Sequence, residues 1–158
     1  MFILRKQLRD TCTAHYLGKG YPKACKNAHG HNYFYTVEVG GEKLNQYDML
    51  IDFSDIKSCC DTWLQENWDH TTIFSSFQTE AKELWKKMGW KFFEFPIKDV
   101  NTTAEHMSEF LAQLFYKKLK ELYPNIEYVQ VEVSETKDST AIYKVDISNF
   151  DPEMVKNI

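Results

Sequence analysis

The segment Cys25-Lys-Asn-Ala-His29-Gly-His31 concentrates the groups in this chain best suited to chemistry. Two imidazoles two residues apart in extended backbone point the same way, with Cα atoms roughly 6–7 Å apart. At that spacing both can reach one metal ion at about 2.0–2.1 Å. Gly30 between them leaves the opposite face open to a close neighbour. A catalytic zinc site needs a third protein ligand, and His15, at the end of the first expected strand, is the candidate. If that strand and the next pair as a hairpin closed through residues 18–26, His15 comes within about one strand spacing, roughly 4.8 Å, of the His29 and His31 strand. Three neutral imidazoles suit zinc and leave a fourth position for water or substrate. The His-x-His pair alone is a weak signal, because most such pairs are surface or hydrogen-bonded histidines, and His15 is what strengthens the metal reading.

Cys25 lies just before the pair. A thiol beside a metal or an imidazolium loses its proton more readily and can act as a base. It could instead close the metal as a fourth ligand, which would make the site structural. It could also be an inert buried thiol, the reading given to Cys12, Cys59 and Cys60. Asp69-His70 offers a carboxylate that could orient an imidazole for proton transfer, or a helix end with a solvated acid. Thr102-Thr-Ala-Glu105 reads as a capping box, with Thr102 as N-cap and Glu105 at the third helical position. Glu135 could receive two parallel donors from an aminopyrimidinone ring, or be a solvated hairpin charge. His106 reads as structural.

The elements that must position these groups are legible in the hydrophobic pattern. Residues 2–14 form a first strand of irregular alternation. From His31 to Val39, Tyr33, Tyr35, Val37 and Val39 share one parity, and Gly40-Gly41 ends the strand. Leu50 to Phe53 is a short extended piece. Ser54 then caps a helix carrying Ile56, Cys60, Trp63 and Leu64 at helical spacing. A second helix starts near Thr102, with Met107, Phe110, Leu111, Leu114, Phe115 and Leu122 as its stripe. Two strands follow. Val129, Val131 and Val133 share one face of the first, and Tyr143, Val145 and Ile147 share one face of the second. Within 75–100, Ala81, Leu84, Trp85 and Met88 suggest a short helix ended by Gly89, and Phe92, Phe93 and Phe95 an extended stretch ended by Pro96. The order β-β-α-α-β-β implies an α+β fold, an antiparallel sheet with helices on one face.

A chain of 158 residues fits one domain, residues 1–158, and 43% hydrophobic with 27% charged residues is ordinary for a globular protein. The net charge of −4 argues against a broad nucleic-acid surface. No apolar run is long enough to span a membrane, and the first residues lack the apolar core of an export signal, so the expected location is cytoplasmic. The cysteines are then expected as free thiols.

Taken in order, Ala14-His15, Cys25-x-x-x-His29-Gly-His31-Asn-Tyr33, Leu50-Ile-Asp-Phe53-Ser-Asp-Ile-Lys57, Asp69-His70, Thr102-Thr-Ala-Glu105 and Glu135-Thr136 with Ala141-x-Tyr143 resemble the 6-pyruvoyl-tetrahydropterin synthase / 6-carboxy-tetrahydropterin synthase family. The resemblance implies the tunnelling fold, a four-stranded antiparallel sheet backed by two helices. Trimers join such sheets into a barrel and stack as a homohexamer, with active sites between subunits. It implies one Zn2+ per subunit on His15, His29 and His31. Cys25 would abstract the proton, Asp69 with His70 would relay it, Glu135 would anchor the pterin, and Thr103 with Glu105 would lie in its pocket. Zinc would polarise the substrate's side-chain oxygens and stabilise the charge that develops there.

The short Cys25-to-His29 spacing looks like the carboxy branch. That branch converts 7,8-dihydroneopterin triphosphate to 6-carboxy-5,6,7,8-tetrahydropterin, acetaldehyde and triphosphate, toward queuosine and other 7-deazapurines. The alternatives are a pyruvoyl-type enzyme that only eliminates triphosphate, and a non-catalytic zinc- or pterin-binding module. Lys19, Lys23 and Lys26 could meet the triphosphate or simply be solvated. The chain departs from the family at Cys12 (commonly Phe), Asp48 (Gly), Trp68 (Leu), Ile73-Phe74 (Leu-Asn) and Thr102 (Pro in the carboxy branch). Residues 75–100 are longer than in compact members.

Overall fold

The computed structural model describes residues 1–158. In chain order its strands are β1 (Phe2–Gln7), β2 (Thr11–His15), β3 (His29–Gly41), β4 (Thr71–Phe74), β5 (Phe92–Glu94), β6 (Tyr128–Thr136) and β7 (Ser139–Asp146). Its helices are α1 (Phe53–Ile56), α2 (Thr62–Asn67), α3 (Thr79–Met88) and α4 (Ala104–Leu122), with a π turn over Lys57–Asp61 joining the first two. The sheet runs β5-β4-β2-β3-β6-β7, and β1 also pairs with β3.

The long strand β3 organises the sheet. One edge pairs with β6, Val37 opposite Val131. The other edge is shared by two strands in succession, β2 along its first half and β1 along its second. Tyr33, Tyr35, Val37 and Val39 of β3 are buried with Val129, Val131 and Val133 of β6. Met107, Phe110, Leu111, Leu114 and Phe115 of α4 join the same core. These positions recur at strand period two and helix period 3.6, which is why they fall on single faces.

The α+β class holds, and the sheet is larger and more mixed than four antiparallel strands. The expected first strand is two strands separated at Leu8–Asp10, which accounts for its irregular alternation. The break is tied down by buried Asp61, which accepts hydrogen bonds from the Arg9 backbone N–H and from Arg9 Nε, both at 2.8 Å. Residues 75–100 contribute α3, β5 and a new sheet edge. There β4 pairs parallel with β2 and β5 pairs parallel with β4.

Helix α3 ends at Gly89, whose left-handed φ of 69° suits glycine. It exposes Leu84 and Met88 and instead buries Lys82, whose stem packs down while its ammonium reaches Glu94 at 3.0 Å. Asp52, not Ser54, caps α1, accepting from the Ser54 N–H at 2.7 Å. Leu122 and Ile147 are exposed, because α4 and β7 end where the core ends.

Three tyrosines are sealed by this packing. Tyr35 donates or accepts at Thr11 Oγ1, Thr11 pairs with Thr13, and Thr13 donates to the Trp68 carbonyl, a buried chain of hydrogen bonds. Burial lifts the pKa of Tyr33 and Tyr35 well above the ordinary phenol value, and burial with the Glu38 carboxylate pushes Tyr128 up to about 12. The unfolded chain releases these protons near pH 10 while the folded chain holds them, so stability must fall as pH rises from about 10 toward 12. Each such tyrosine adds about 1.4 kcal/mol per pH unit to that slope. Urea unfolding at several alkaline pH values should show the decline, and Tyr35→Phe should remove about one tyrosine's share. A slope unchanged in Tyr35→Phe would count against this account.

Candidate functional site

The pairing of β2 with β3 sets His15 opposite His29 and Thr13 opposite His31. Strand alternation brings the two β3 histidines to the same face, so three rings meet. Their centroids lie 4.6 Å (His15–His29), 4.9 Å (His29–His31) and 5.4 Å (His15–His31) apart. One ligand atom from each lies within 4.8 Å of the other two, and the cluster comprises these three imidazoles without Cys25.

The tautomers follow from the neighbours. His15 Nδ1 lies 2.6 Å from the Thr102 carbonyl oxygen, and His29 Nδ1 lies 2.7 Å from that of Asn27. A carbonyl only accepts, so each Nδ1 carries the hydrogen and each Nε2 presents a lone pair. Nε2 of both His29 and His31 is buried without a partner in the chain. Burial is the main cause that lowers His15 to about 4, with the neighbouring histidines adding to it against the Thr102 hydrogen bond. Burial also lowers His31, against the opposing pull of Glu135. Neutral, inward-facing, partnerless nitrogens are what a divalent metal requires, and the residues present fit one.

Beside the triad lies a cavity of about 460 Å³ lined by His15, Cys25, Thr103, Glu105 and Glu135, among others. Cys25 sits in a short 3₁₀ turn, Ala24–Lys26, and its carbonyl accepts from the Leu17 N–H at 2.8 Å, pinning this loop to the end of β2. Glu135 is the penultimate residue of β6, next to a register shift against β7 between Ser134 and Thr136. Thr103, not Thr102, is the N-cap of α4, because the Thr102 carbonyl is turned to His15. Glu105 therefore sits one position earlier than a capping box needs, exposed at the cavity.

Asp69 and His70 fall elsewhere. They form a pair at 2.7 Å between Asp69 Oδ2 and His70 Nδ1. Burial alone would raise Asp69, but hydrogen bonds from the Cys12 N–H and from His70 outweigh it and hold the carboxyl below its ordinary value. His70 has a left-handed φ of 52° and is 81% exposed. It lines a separate, larger cavity of about 680 Å³ with His31, Cys12, Trp85, Trp90 and Lys91. One chain thus brings Cys25 together with Glu105 and Glu135 in one cavity, while His70 lines the other. Gly30 lines that larger cavity, where a Cβ added to it would meet the Thr13 carbonyl oxygen at an ordinary 3.6 Å. Cys12 is exposed, not buried, with its thiol 3.3 Å from Asn32 Oδ1, whereas Cys60 is buried as expected.

Three contributors carried no role in the sequence. The Thr102 and Asn27 carbonyls orient the histidines, and backbone groups leave no mark in residue type. Tyr33 Oη lies 3.2 Å from His15 Nε2 and 3.4 Å from Glu135 Oε1. Its signal was available, because a tyrosine two residues past His31 on the buried parity must place its hydroxyl near the same face.

Loss of one of three donors should be severe, since changing groups that merely orient ligands already costs about 10–100-fold in metal affinity. His31→Ala should therefore bind Co2+ more than about 100-fold more weakly than the parent chain in competition with a chromophoric chelator. Equal affinity would remove His31 from the metal site.

Known proteins resemble this chain in sequence and in fold. The family described as "6-pyruvoyl tetrahydropterin synthase" matches residues 5–146. A protein of Aquifex aeolicus named 6-carboxy-5,6,7,8-tetrahydropterin synthase is 33% identical over 125 residues, covering 76% of this chain and 75% of that protein. A Haemophilus influenzae protein of the same name is 35% identical over 100 residues, 58% of this chain and 67% of that protein. The crystal structure of 6-pyruvoyl tetrahydropterin synthase from Plasmodium vivax superposes with a TM-score of 0.70 at 18% identity, covering 93% of this chain and 100% of that one, which speaks to the fold. The chain belongs to the 6-pyruvoyl tetrahydropterin synthase family.

Proposed function

We propose that this chain is a zinc-dependent 6-carboxy-5,6,7,8-tetrahydropterin synthase acting on 7,8-dihydroneopterin triphosphate. The observation that carries the reading is one cavity shared by the metal-competent His15, the Cys25 thiol and the carboxylates of Glu105 and Glu135. The names of the relatives in Aquifex aeolicus and Haemophilus influenzae favour the carboxy branch over the pyruvoyl branch. The three-imidazole cluster forms without Cys25, which favours an open catalytic site over a closed structural one.

His15, His29 and His31 would hold the metal through Nε2. Bound zinc would supply Lewis-acid stabilisation of negative charge on the substrate's side-chain oxygens. Glu135 would accept paired N–H donors from the aminopyrimidinone edge, and Thr103 and Glu105 would border the ring. Cys25 Sγ is the atom that would take the carbon-bound proton. His70 lines the other cavity and not this one, and its exposed ring would suit delivery to the site of a second copy of the chain. That arrangement supports a homo-oligomer with sites between subunits, a hexamer in this reading. Residues 1–158 would act as one catalytic unit, with 75–100 as its added edge, in the cytoplasm and on the route to 7-deazapurines.

Incubation of zinc-loaded protein with dihydroneopterin triphosphate should release acetaldehyde and triphosphate with the carboxy product, followed by mass spectrometry. A 6-pyruvoyl product without acetaldehyde would transfer the chain to the other branch, and no turnover would reject the enzyme. Cys25→Ala should lose at least about 100-fold in kcat, the scale of general-base catalysis, while still holding zinc and pterin. Loss of zinc in Cys25→Ala would instead make Cys25 a ligand. Glu135→Ala should weaken pterin binding by about tenfold or more with zinc content unchanged, and full pterin affinity would reject the anchor.

A further inference from the structure

Tyr33 is completely buried, its ring 5.3 Å from that of His31 and 5.9 Å from that of His15. Its hydroxyl is the one group in contact with both a histidine of the triad and the Glu135 carboxylate, at 3.2 Å and 3.4 Å. A phenol has a single hydrogen to give. His15 donates from Nδ1 to the Thr102 carbonyl, so its Nε2 can only accept. The carboxylate of Glu135 can also only accept. Two acceptors, at 3.2 Å and 3.4 Å, therefore compete for one hydrogen.

We propose that Tyr33 is a positioning residue that couples the metal site to Glu135. A metal on the triad occupies the His15 Nε2 lone pair and removes one competitor. The Tyr33 hydrogen then passes wholly to Glu135 Oε1 and holds the carboxylate in a single orientation toward the donors of the pterin edge. Without metal the hydroxyl is drawn to His15, and Glu135 loses that support. Metal and pterin ring thus bind with positive cooperativity although the ring need not touch the metal, and the coupling is reciprocal. This deepens the proposed function and rests on Glu135 receiving a pterin.

The test uses the full chain and pterin lacking any C6 side chain, so that no side-chain oxygen reaches the metal. Its fluorescence anisotropy is titrated with zinc-free and zinc-loaded protein. Zinc should tighten pterin binding by roughly five- to tenfold, and pterin should tighten zinc by the same factor in chelator competition. Tyr33→Phe keeps the ring in the core and should bring that factor within about twofold while both ligands still bind. Tyr35→Phe, which deletes another buried hydroxyl, should keep the parent factor. A merely structural role for Tyr33 would change both affinities without abolishing their ratio. A wild-type ratio below about twofold, or a Tyr33→Phe ratio equal to the parent's, overturns the coupling. If Tyr33→Phe fails to fold by circular dichroism, the wild-type ratio decides alone. Pterin bound with no zinc dependence defeats the coupling only, whereas no pterin binding in either form defeats the pterin reading with it.

Discussion

Everything at this site depends on the antiparallel register that sets His15 opposite His29. A strand pair allows no intermediate setting. Sliding β2 by one residue would turn His15 to the other face of the sheet. The register is held from outside the pair. On the far side of β2, the Thr13 hydroxyl donates to the Trp68 carbonyl and β4 adds a parallel partner at Thr71 and Thr72. Asn101 accepts from the Gly18 N–H at 2.8 Å just beyond the strand end. The loop before α4 thereby fixes the strand end and also supplies the Thr102 carbonyl that turns His15.

Electrostatics follows from that placement. Burial in this corner holds His15 and His31 below the ordinary imidazole value, His15 down to about 4. The same burial that costs the free protein hydrogen bonds at the His29 and His31 nitrogens prepares them for a cation. A carboxylate close by, Glu135, lies outside the three-histidine cluster and would balance the charge of a bound metal.

Much of this was legible in the sequence because it depends on period. The buried parity of β3, the α4 stripe and the same-facing His29 and His31 all follow from side-chain alternation. His15 was legible only by assuming a hairpin, and the hairpin formed. The capping position was misplaced by one residue, since a Thr-Thr pair does not say which carbonyl will be diverted to a histidine. The parallel pairings of β4 and β5 were missed. Thr71–Phe74 is four residues long, too short for alternation to register. The short helix ended by Gly89 formed as its apolar spacing implies, yet Lys82 buries its stem while Leu84 and Met88 face solvent. The separation of Asp69–His70 from Cys25 depends on three-dimensional placement, which adjacency in motif order does not encode.

The interruption at Leu8–Asp10 has a consequence for how change at the amino terminus is tolerated. Because two independent segments share one edge of β3, hydrogen bonding of Phe2–Gln7 and of Thr11–His15 is not one continuous ladder. Asp61 clamps the junction. Fraying, extension or replacement of the leading segment is absorbed at that joint, so the ligand-bearing segment is mechanically insulated from whatever is attached ahead of it.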